Sequence, residues 1–294
     1  MSKPRLSISF SGGRTSAYMT WRLLNHERVR DRFDVQVLFA NTGQEHEKTL
    51  EFVDRCDREF GFGVVWLEAV VHKGERRGST HRVVDFETAS RQGEPFEAVI
   101  AKYGIPNPNF QPCTRELKLN VMRSYVRSIG WEPRSYWQVV GIRADEMDRV
   151  NPKHREEMLW YPLLDWGVDK QSVTAFWARQ DFDLEIPEHL GNCVWCWKKS
   201  LRKHLTLAKE EPWVFDFPRR MERDYAYAGA GDGPRRFFRG HRSVDDIFRL
   251  ADDYFVPFRE GEGEDRQLSI LPDLDQAGGC AESCEPFGPE DSAT

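Results

Sequence analysis

The 294-residue sequence has no apolar run approaching the length of a membrane span, which excludes a bilayer-crossing helix. It lacks a secretory pattern at the N-terminus, because Leu6–Phe10 passes straight into a glycine turn, so a cytoplasmic location is expected. No internal repeat is evident. Cysteine is scarce, with six residues at 56, 113, 193, 196, 280 and 284. In a cytoplasmic chain so few do not read as a disulfide scaffold, and Cys193-Val-Trp-Cys196 points instead to metal or redox chemistry. What is present in quantity is apolar and aromatic: 39% and 13% of residues, too much for a disordered chain and enough for one large domain or a domain plus an appendage.

Net charge is −6, but it is unevenly distributed. From Glu260 to Thr294 there are ten acidic residues against one basic, giving −9 there and leaving +3 on residues 1–259. Between Lys198 and Arg242 twelve Lys and Arg face six Asp and Glu. That stretch is a candidate surface for phosphates or nucleic acid, or a solvated charged face.

Short β-rich runs at Leu6–Phe10, Val35–Ala40 and Val64–Leu67 alternate with helical patterns at Ala17–Leu24 and Thr49–Phe60. This alternation predicts an α/β fold, a doubly wound, mostly parallel sheet with helices on both faces. Residues 72–93 read as a long polar loop. Further helices are expected at Phe96–Tyr103, Glu116–Ser128, about 170–179, 197–209 and Val244–Tyr254, with a strand at Tyr136–Val140. The organisation predicted is a nucleotide-binding domain over 1–200, a helical C-terminal extension over 201–259, and an acidic, poorly ordered tail over 260–294.

Ser9-Phe-Ser-Gly-Gly-Arg-Thr-Ser16 falls at a strand-to-helix junction. Gly12 and Gly13 allow backbone N–H groups to approach an anion, the helix N-terminus adds its positive dipole end, and Ser11, Thr15 and Ser16 supply hydroxyls. The Gly-Lys-Ser/Thr ending of a Walker A loop is missing, and an ordinary strand-turn-helix whose Gly and Ser cap the helix is the alternative. The stretch resembles the PP-loop of the adenine nucleotide α-hydrolase superfamily, which includes ATP pyrophosphatases and phosphoadenosine phosphosulfate (PAPS) reductases. Three further blocks look like those of PAPS reductases: Phe39-Ala-Asn-Thr-Gly-Gln-Glu45 with Thr49-Leu-Glu-Phe-Val53, Val139-Val-Gly-Ile-Arg-Ala-Asp-Glu146, and Tyr161-Pro-Leu-Leu-Asp-Trp166.

The resemblance implies a Rossmann-like domain whose loop (Ser9, Ser11, Gly12, Gly13, Arg14, Thr15, Ser16) holds the phosphates of ATP or an adenylyl sulfate. It places the adenine against Phe39, Ala40 and Asn41, and Thr42 and Gly43 beside the ribose or phosphate, with Mg2+ accompanying the nucleotide. Arg143 offers a guanidinium suited to phosphate or sulfate, or to a structural ion pair, and Lys118 offers a point charge to the same anion or is a solvated lysine on a helix face. Two positions depart from the pattern. Thr15 stands where many ATP pyrophosphatases have an acid, and the tail around Cys280 and Cys284 lacks the reductases' terminal cysteine-histidine motif.

Iron–sulfur-dependent adenylyl-sulfate reductases carry a Cys-Cys pair followed by a distant C-x-x-C. Cys113, Cys193 and Cys196 match three of those four positions, with Pro112 at the fourth. The resemblance implies a 4Fe–4S cluster with one open iron, as in tRNA thiolation enzymes. Zinc with His204 or a tail cysteine as fourth ligand is the alternative, and a set of reduced, buried thiols a third. Cys280 and Cys284 are candidates for a nucleophile or persulfide carrier; Cys56 reads as a core thiol. The function expected is ATP-dependent, AMP- and pyrophosphate-forming sulfur transfer to a nucleic-acid or small-molecule acceptor. A sulfonucleotide reductase releasing sulfite and a non-catalytic nucleotide-binding protein are the other two readings. The partners expected are the nucleotide, a nucleic-acid acceptor along 198–242, a sulfur donor or thiol reductant, and a second copy of the chain in a homodimer.

Overall fold

A computed structural model describes residues 3–107, 110–229 and 233–259. Five short strands with β-branched or aromatic residues, β1 (Arg5–Ser9), β2 (Asp34–Ala40), β3 (Val64–Val70), β5 (Tyr136–Val139) and β6 (Leu159–Trp160), lie parallel to their neighbours. The sixth, β4 (Thr80–Val84), pairs antiparallel with β3 at one edge, with Trp66 opposite Val84. The order across the sheet is β4-β3-β2-β1-β5-β6. β1 sits between β2 and β5, with Leu6 opposite both Val35 and Trp137. Central strands buried on both faces need continuous apolar runs, and Leu6, Ile8, Val37, Leu38 and Phe39 are 2% exposed or less.

The helices follow in order: α1 (Arg14–Leu24), α2 (Glu27–Arg32), α3 (Glu47–Phe60) and α4 (Glu94–Tyr103). A continuous helical segment comes next, made of α5 (Pro112–Thr114), a π-helical turn (Arg115–Leu119) and α6 (Asn120–Ser128). Then come α7 (Pro162–Asp165), α8 (Lys170–Trp177), α9 (Leu201–Glu210), α10 (Asp216–Tyr225) and α11 (Val244–Asp252). Local chemistry sets several of the ends. Gly61 closes α3 in the left-handed region, Asp169 caps α8 by accepting from Ser172 N, and Ser243 with Asp246 forms a capping box on α11.

The architecture is α/β with a mostly parallel sheet, as the alternation of strands and helices suggested. One continuous core runs from Leu6 to Phe255 and includes Leu205, Phe215 and Ile247, so helices α9 to α11 share it with the sheet. The stretch 72–93 is not wholly loop, since it contributes β4. Thr80-His-Arg-Val-Val84 is an edge strand whose residues are half-buried to exposed, so its apolar signal is weak. Asp165 accepts from Trp160 Nε1 at 2.9 Å and Trp166 packs under the Arg22 guanidinium, both structural roles. Cys56 lies in the core, where burial pushes its thiol well up. No helix among the described residues is long and apolar enough to cross a membrane.

Candidate functional site

From β1 the chain moves outward through β2 and β3, and later crosses to β5 and β6 on the other side. A reversal of this kind opens a crevice at the C-terminal ends of the two strands, where open parallel sheets hold ligands. The loops bounding it come close: a Cβ added at Gly141, just after β5, would lie 3.4 Å from Ser16 Cα in α1. Gly12 has φ +81°, and a Cβ there would stand 2.8 Å from Thr49 Cγ2 and 3.3 Å from Phe39 Cε2. Only glycine fits both the conformation and the space. Ser16 Oγ accepts from Ser11 N at 3.2 Å and donates to Gly13 O at 3.0 Å, folding the loop over the first turn of α1. Gly13, at the N-cap, brings no capping side chain, and the helix dipole points into the loop.

Ser11, Gly12, Gly13 and Arg14 line a shallow cleft, about 400 Å³ with its open mouth included, together with Thr49 and the segment 184–192 opposite. Arg14 is turned to Asp183 at 2.7 Å, and Trp177 Nε1 donates to Arg14 O at 3.0 Å. Thr49 is 3% exposed, and its hydroxyl has no hydrogen-bond partner among the described residues. Buried polar groups are seldom left this way, and Thr49 is one of the residues lining the cleft. Thr49 was absent from the candidates read from the sequence, although its block had been singled out. Replacing Gly12 by Ala should destabilise the protein by about 2 kcal/mol or more, from the left-handed φ plus the Thr49 methyl contact. Urea unfolding measures this.

Arg143 is 3% exposed and beside the loop. Its Nη1 donates to Thr15 Oγ1 at 3.1 Å, while Nε and Nη2 donate to the two Asp145 oxygens at 3.0 and 3.2 Å. Of the two roles read from sequence, the ion pair is made here, and through Thr15 it braces the start of α1. Phe39, Ala40 and Asn41 form a buried wall and are not among the cleft-lining residues; Ser9 lies buried at the end of β1. The Asn41 amide donates to Glu68 Oε1 at 2.7 Å and Ser90 O at 2.9 Å, and its carbonyl accepts from Gly43 N at 3.1 Å.

Past Asn41 the chain meets the cysteines. Thr42 Oγ1 donates to Glu45 Oε1 at 2.8 Å and lies 3.4 Å from Cys193 Sγ. Glu45 and Cys193 form an isolated antiparallel bridge, Val194 N donates to Gln44 O at 2.9 Å, and Trp195 Nε1 donates to Gln44 Oε1 at 2.6 Å. Cys113 and the distant pair Cys193 and Cys196 line one small pocket, about 360 Å³ with its open mouth included, with Thr42, Thr114 and Lys118. The Thr114 hydroxyl is another buried orphan. Burial, and next the Glu45 carboxylate, push the Cys193 thiol well up, against the opposing charge of Lys118. Burial also raises Glu45, again opposed by Lys118.

Among the described residues, no three His, Cys, Asp or Glu side chains are grouped so as to hold a metal ion. The three cysteines nevertheless line one pocket, and burial keeps the proton on Cys193. His204 does not join them; it lines a different cleft. Cys280 and Cys284 lie outside the described residues. Lys199, which the sequence reading passed over, is 5% exposed and donates to Gly191 O, Cys193 O and Val194 O at 3.0, 2.9 and 2.8 Å. It ties down the turn that Cys196 N closes onto Cys193 O at 2.9 Å. A buried lysine bonding three carbonyls has no pattern in a linear sequence.

Fold and site thus define an α/β protein with a glycine-bearing strand-to-helix loop at the strand reversal and a three-cysteine pocket beside it. The chain belongs to the family of the nin region protein ORF290 of Escherichia phage lambda, described as uncharacterized. The two are 33% identical over 288 residues, 96% of this chain and 94% of that protein. It is also similar to two uncharacterized proteins of Methanocaldococcus jannaschii, each 24% identical. MJ0973 matches over 173 residues, 56% of this chain and 34% of that protein, and MJ0066 over 127 residues, 42% and 20%. No family model matches the chain.

Proposed function

We propose that the protein is a PP-loop enzyme of the PAPS reductase-like type that binds ATP at the Ser11–Ser16 loop and carries out sulfur transfer at the cysteine pocket. The observation that supports this best is the adjacency of the two sites. Segment 191–199 contributes Gly191 and Asn192 to the loop cleft and Cys193 and Cys196 to the thiol pocket, and Thr42 touches Cys193 from the end of β2. A nucleotide whose phosphates lie on the loop has its reacting end close to a sulfur site.

In the reaction proposed, an acceptor oxygen attacks the α-phosphorus of Mg2+-bound ATP, and the bond to the bridging oxygen breaks to release pyrophosphate. Hydrosulfide, from a sulfur donor, then attacks the adenylated carbon. The C–O bond breaks, AMP leaves, and the sulfur sheds its proton to solvent. The loop N–H groups and α1 dipole balance phosphate charge, Thr49 Oγ1 donates to the phosphate chain, and Arg143 positions the loop through Thr15. Cys113, Cys193 and Cys196 would hold an iron–sulfur cluster, whose chemistry is to offer an open soft position to exogenous sulfur.

Incubation of anaerobically purified protein with ATP, sulfide and mixed tRNA or DNA should release pyrophosphate in step with acceptor thiolation. Sulfite release from adenylyl sulfates, without pyrophosphate from ATP, would replace this reading with the reductase; tight nucleotide binding with neither product would leave a binding protein. Thr49→Val removes only an unpartnered oxygen. It should leave stability within about 0.5 kcal/mol of wild type and weaken ATP binding by roughly tenfold, as read by calorimetry on the same preparation.

A further inference from the structure

A third cleft, about 620 Å³ with its open mouth included, shares Trp197 with the cysteine pocket and lies along the basic stretch 198–242. Two of the residues that line it carry three orphan polar atoms. His204 is 2% exposed, and neither imidazole nitrogen has a hydrogen-bond partner; Trp197 Nε1, on a side chain 3% exposed, has none either. The main chain of Trp197 is near the imidazole but outside hydrogen-bonding geometry. Each buried orphan is costly, and three on one cleft wall call for a ligand that satisfies them together.

The chemistry of the wall says what that ligand is. An indole N–H only donates, and a guanidinium only donates. Arg239 and Arg242 line the same cleft, with bonds from Arg239 Nη2 to Lys198 O at 3.3 Å and from Arg242 Nη1 to Arg239 O at 3.0 Å. A neutral imidazole donates once and accepts once. The complement is an acceptor-rich anion with one hydroxyl to give. We propose that this cleft binds a phosphate group, engaged by Arg239, Arg242 and the Trp197 indole N–H, with His204 donating to one oxygen and accepting from a P–OH or a neighbouring hydroxyl. The site is separate from the phosphate loop, and it does not depend on the ATP reading.

Two sources share this chemistry, free phosphate and a phosphate in a nucleic-acid backbone. The test is a 15N-labelled full chain titrated with inorganic phosphate and, in parallel, with an oligonucleotide lacking terminal phosphates. The Trp197 indole N–H is assigned with Trp197→Phe, and the His204 ring nitrogens report the same cleft if that variant does not fold. A saturable shift of the Trp197 and His204 signals is expected, at phosphate concentrations raised about tenfold or more by Arg239→Gln. A shift at lower oligonucleotide than phosphate concentration identifies a backbone source, and a shift with phosphate alone identifies the free ion or a monoester. Either supports the cleft as a phosphate site. Signals unmoved by both ligands, or moved equally in Arg239→Gln and Arg242→Gln, would overturn it. Phosphate binding confined to the loop leaves these signals still, so it counts against the proposal without touching the ATP reading.

Discussion

Lys199→Met is expected to lower stability by about 4 kcal/mol, the order expected for losing three charge-assisted bonds to buried acceptors. That corresponds to a fall in Tm of about 10 °C for a chain of this size. The substitution roughly conserves the apolar stem, so the loss comes from the carbonyls of Gly191, Cys193 and Val194, left without their shared donor. Those carbonyls belong to the segment that lines both the loop cleft and the thiol pocket. The variant should therefore expose Cys193 and Cys196, now 9% and 8% exposed, to alkylation under conditions where wild type resists. Differential scanning calorimetry and timed thiol labelling read the two effects. A variant as stable as wild type, with cysteines still protected, would mean that the turn is held by its flanking contacts, such as Trp195 on Gln44.

Acid should destabilise the protein through His204. Burial first, and then the charges of Lys199 and Arg239, push this imidazole down to about 3 in the folded state. An unfolded-chain histidine titrates near 6.5. Between those values the unfolded chain takes up a proton that the folded chain refuses, so stability is complete above about pH 6.5 and falls as the pH is lowered toward 3. From pH 7 to pH 5 the loss attributable to this one side chain is about 2 kcal/mol. Phe215 and Phe238 surround the ring, which makes His204→Phe a tolerable replacement. Urea unfolding at both pH values should show the wild type losing about 2 kcal/mol more than His204→Phe. Equal losses would mean that the imidazole accepts its proton while folded.

The parts of the fold legible in the sequence were those with strong periodicity or an unmistakable turn. Leu6–Phe10 and Val35–Ala40 read as strands because both faces of a central strand are apolar. Gly12-Gly13 read as a tight strand-to-helix turn, and the structure puts Gly12 at φ +81° with no room for a Cβ. Edge elements were harder. Thr80–Val84 had too little buried surface to stand out from polar loop, and the two-residue strand Leu159–Trp160 is visible only through its pairing with Gln138 and Val139. The convergence of Cys113 with Cys193 and Cys196 came from a family resemblance, since eighty residues of spacing carry no geometry. Lys199, Thr49 and the His204 cleft were hidden for a related reason. A lysine bonded to carbonyls, a threonine with an idle hydroxyl and a histidine without partners look ordinary in one dimension, and only burial makes them unusual.

The loop cleft also limits what can be bound there. Under the proposed function, a triphosphate would be drawn in by the α1 dipole and loop N–H groups, while Thr15, in place of an acid, adds no carboxylate against it. The pairing of Arg143 with Asp145 keeps that guanidinium in place before any ligand arrives, so its contribution is to the shape of the loop.

Calorimetric titration of the full chain with a non-hydrolysable ATP analogue tests the nucleotide site most directly. Saturable binding at one site is expected, weakened by both Gly12→Ala and Thr49→Val while each variant remains folded. No binding by the wild type, or binding that neither substitution weakens, would contradict an ATP site at the Ser11–Ser16 loop.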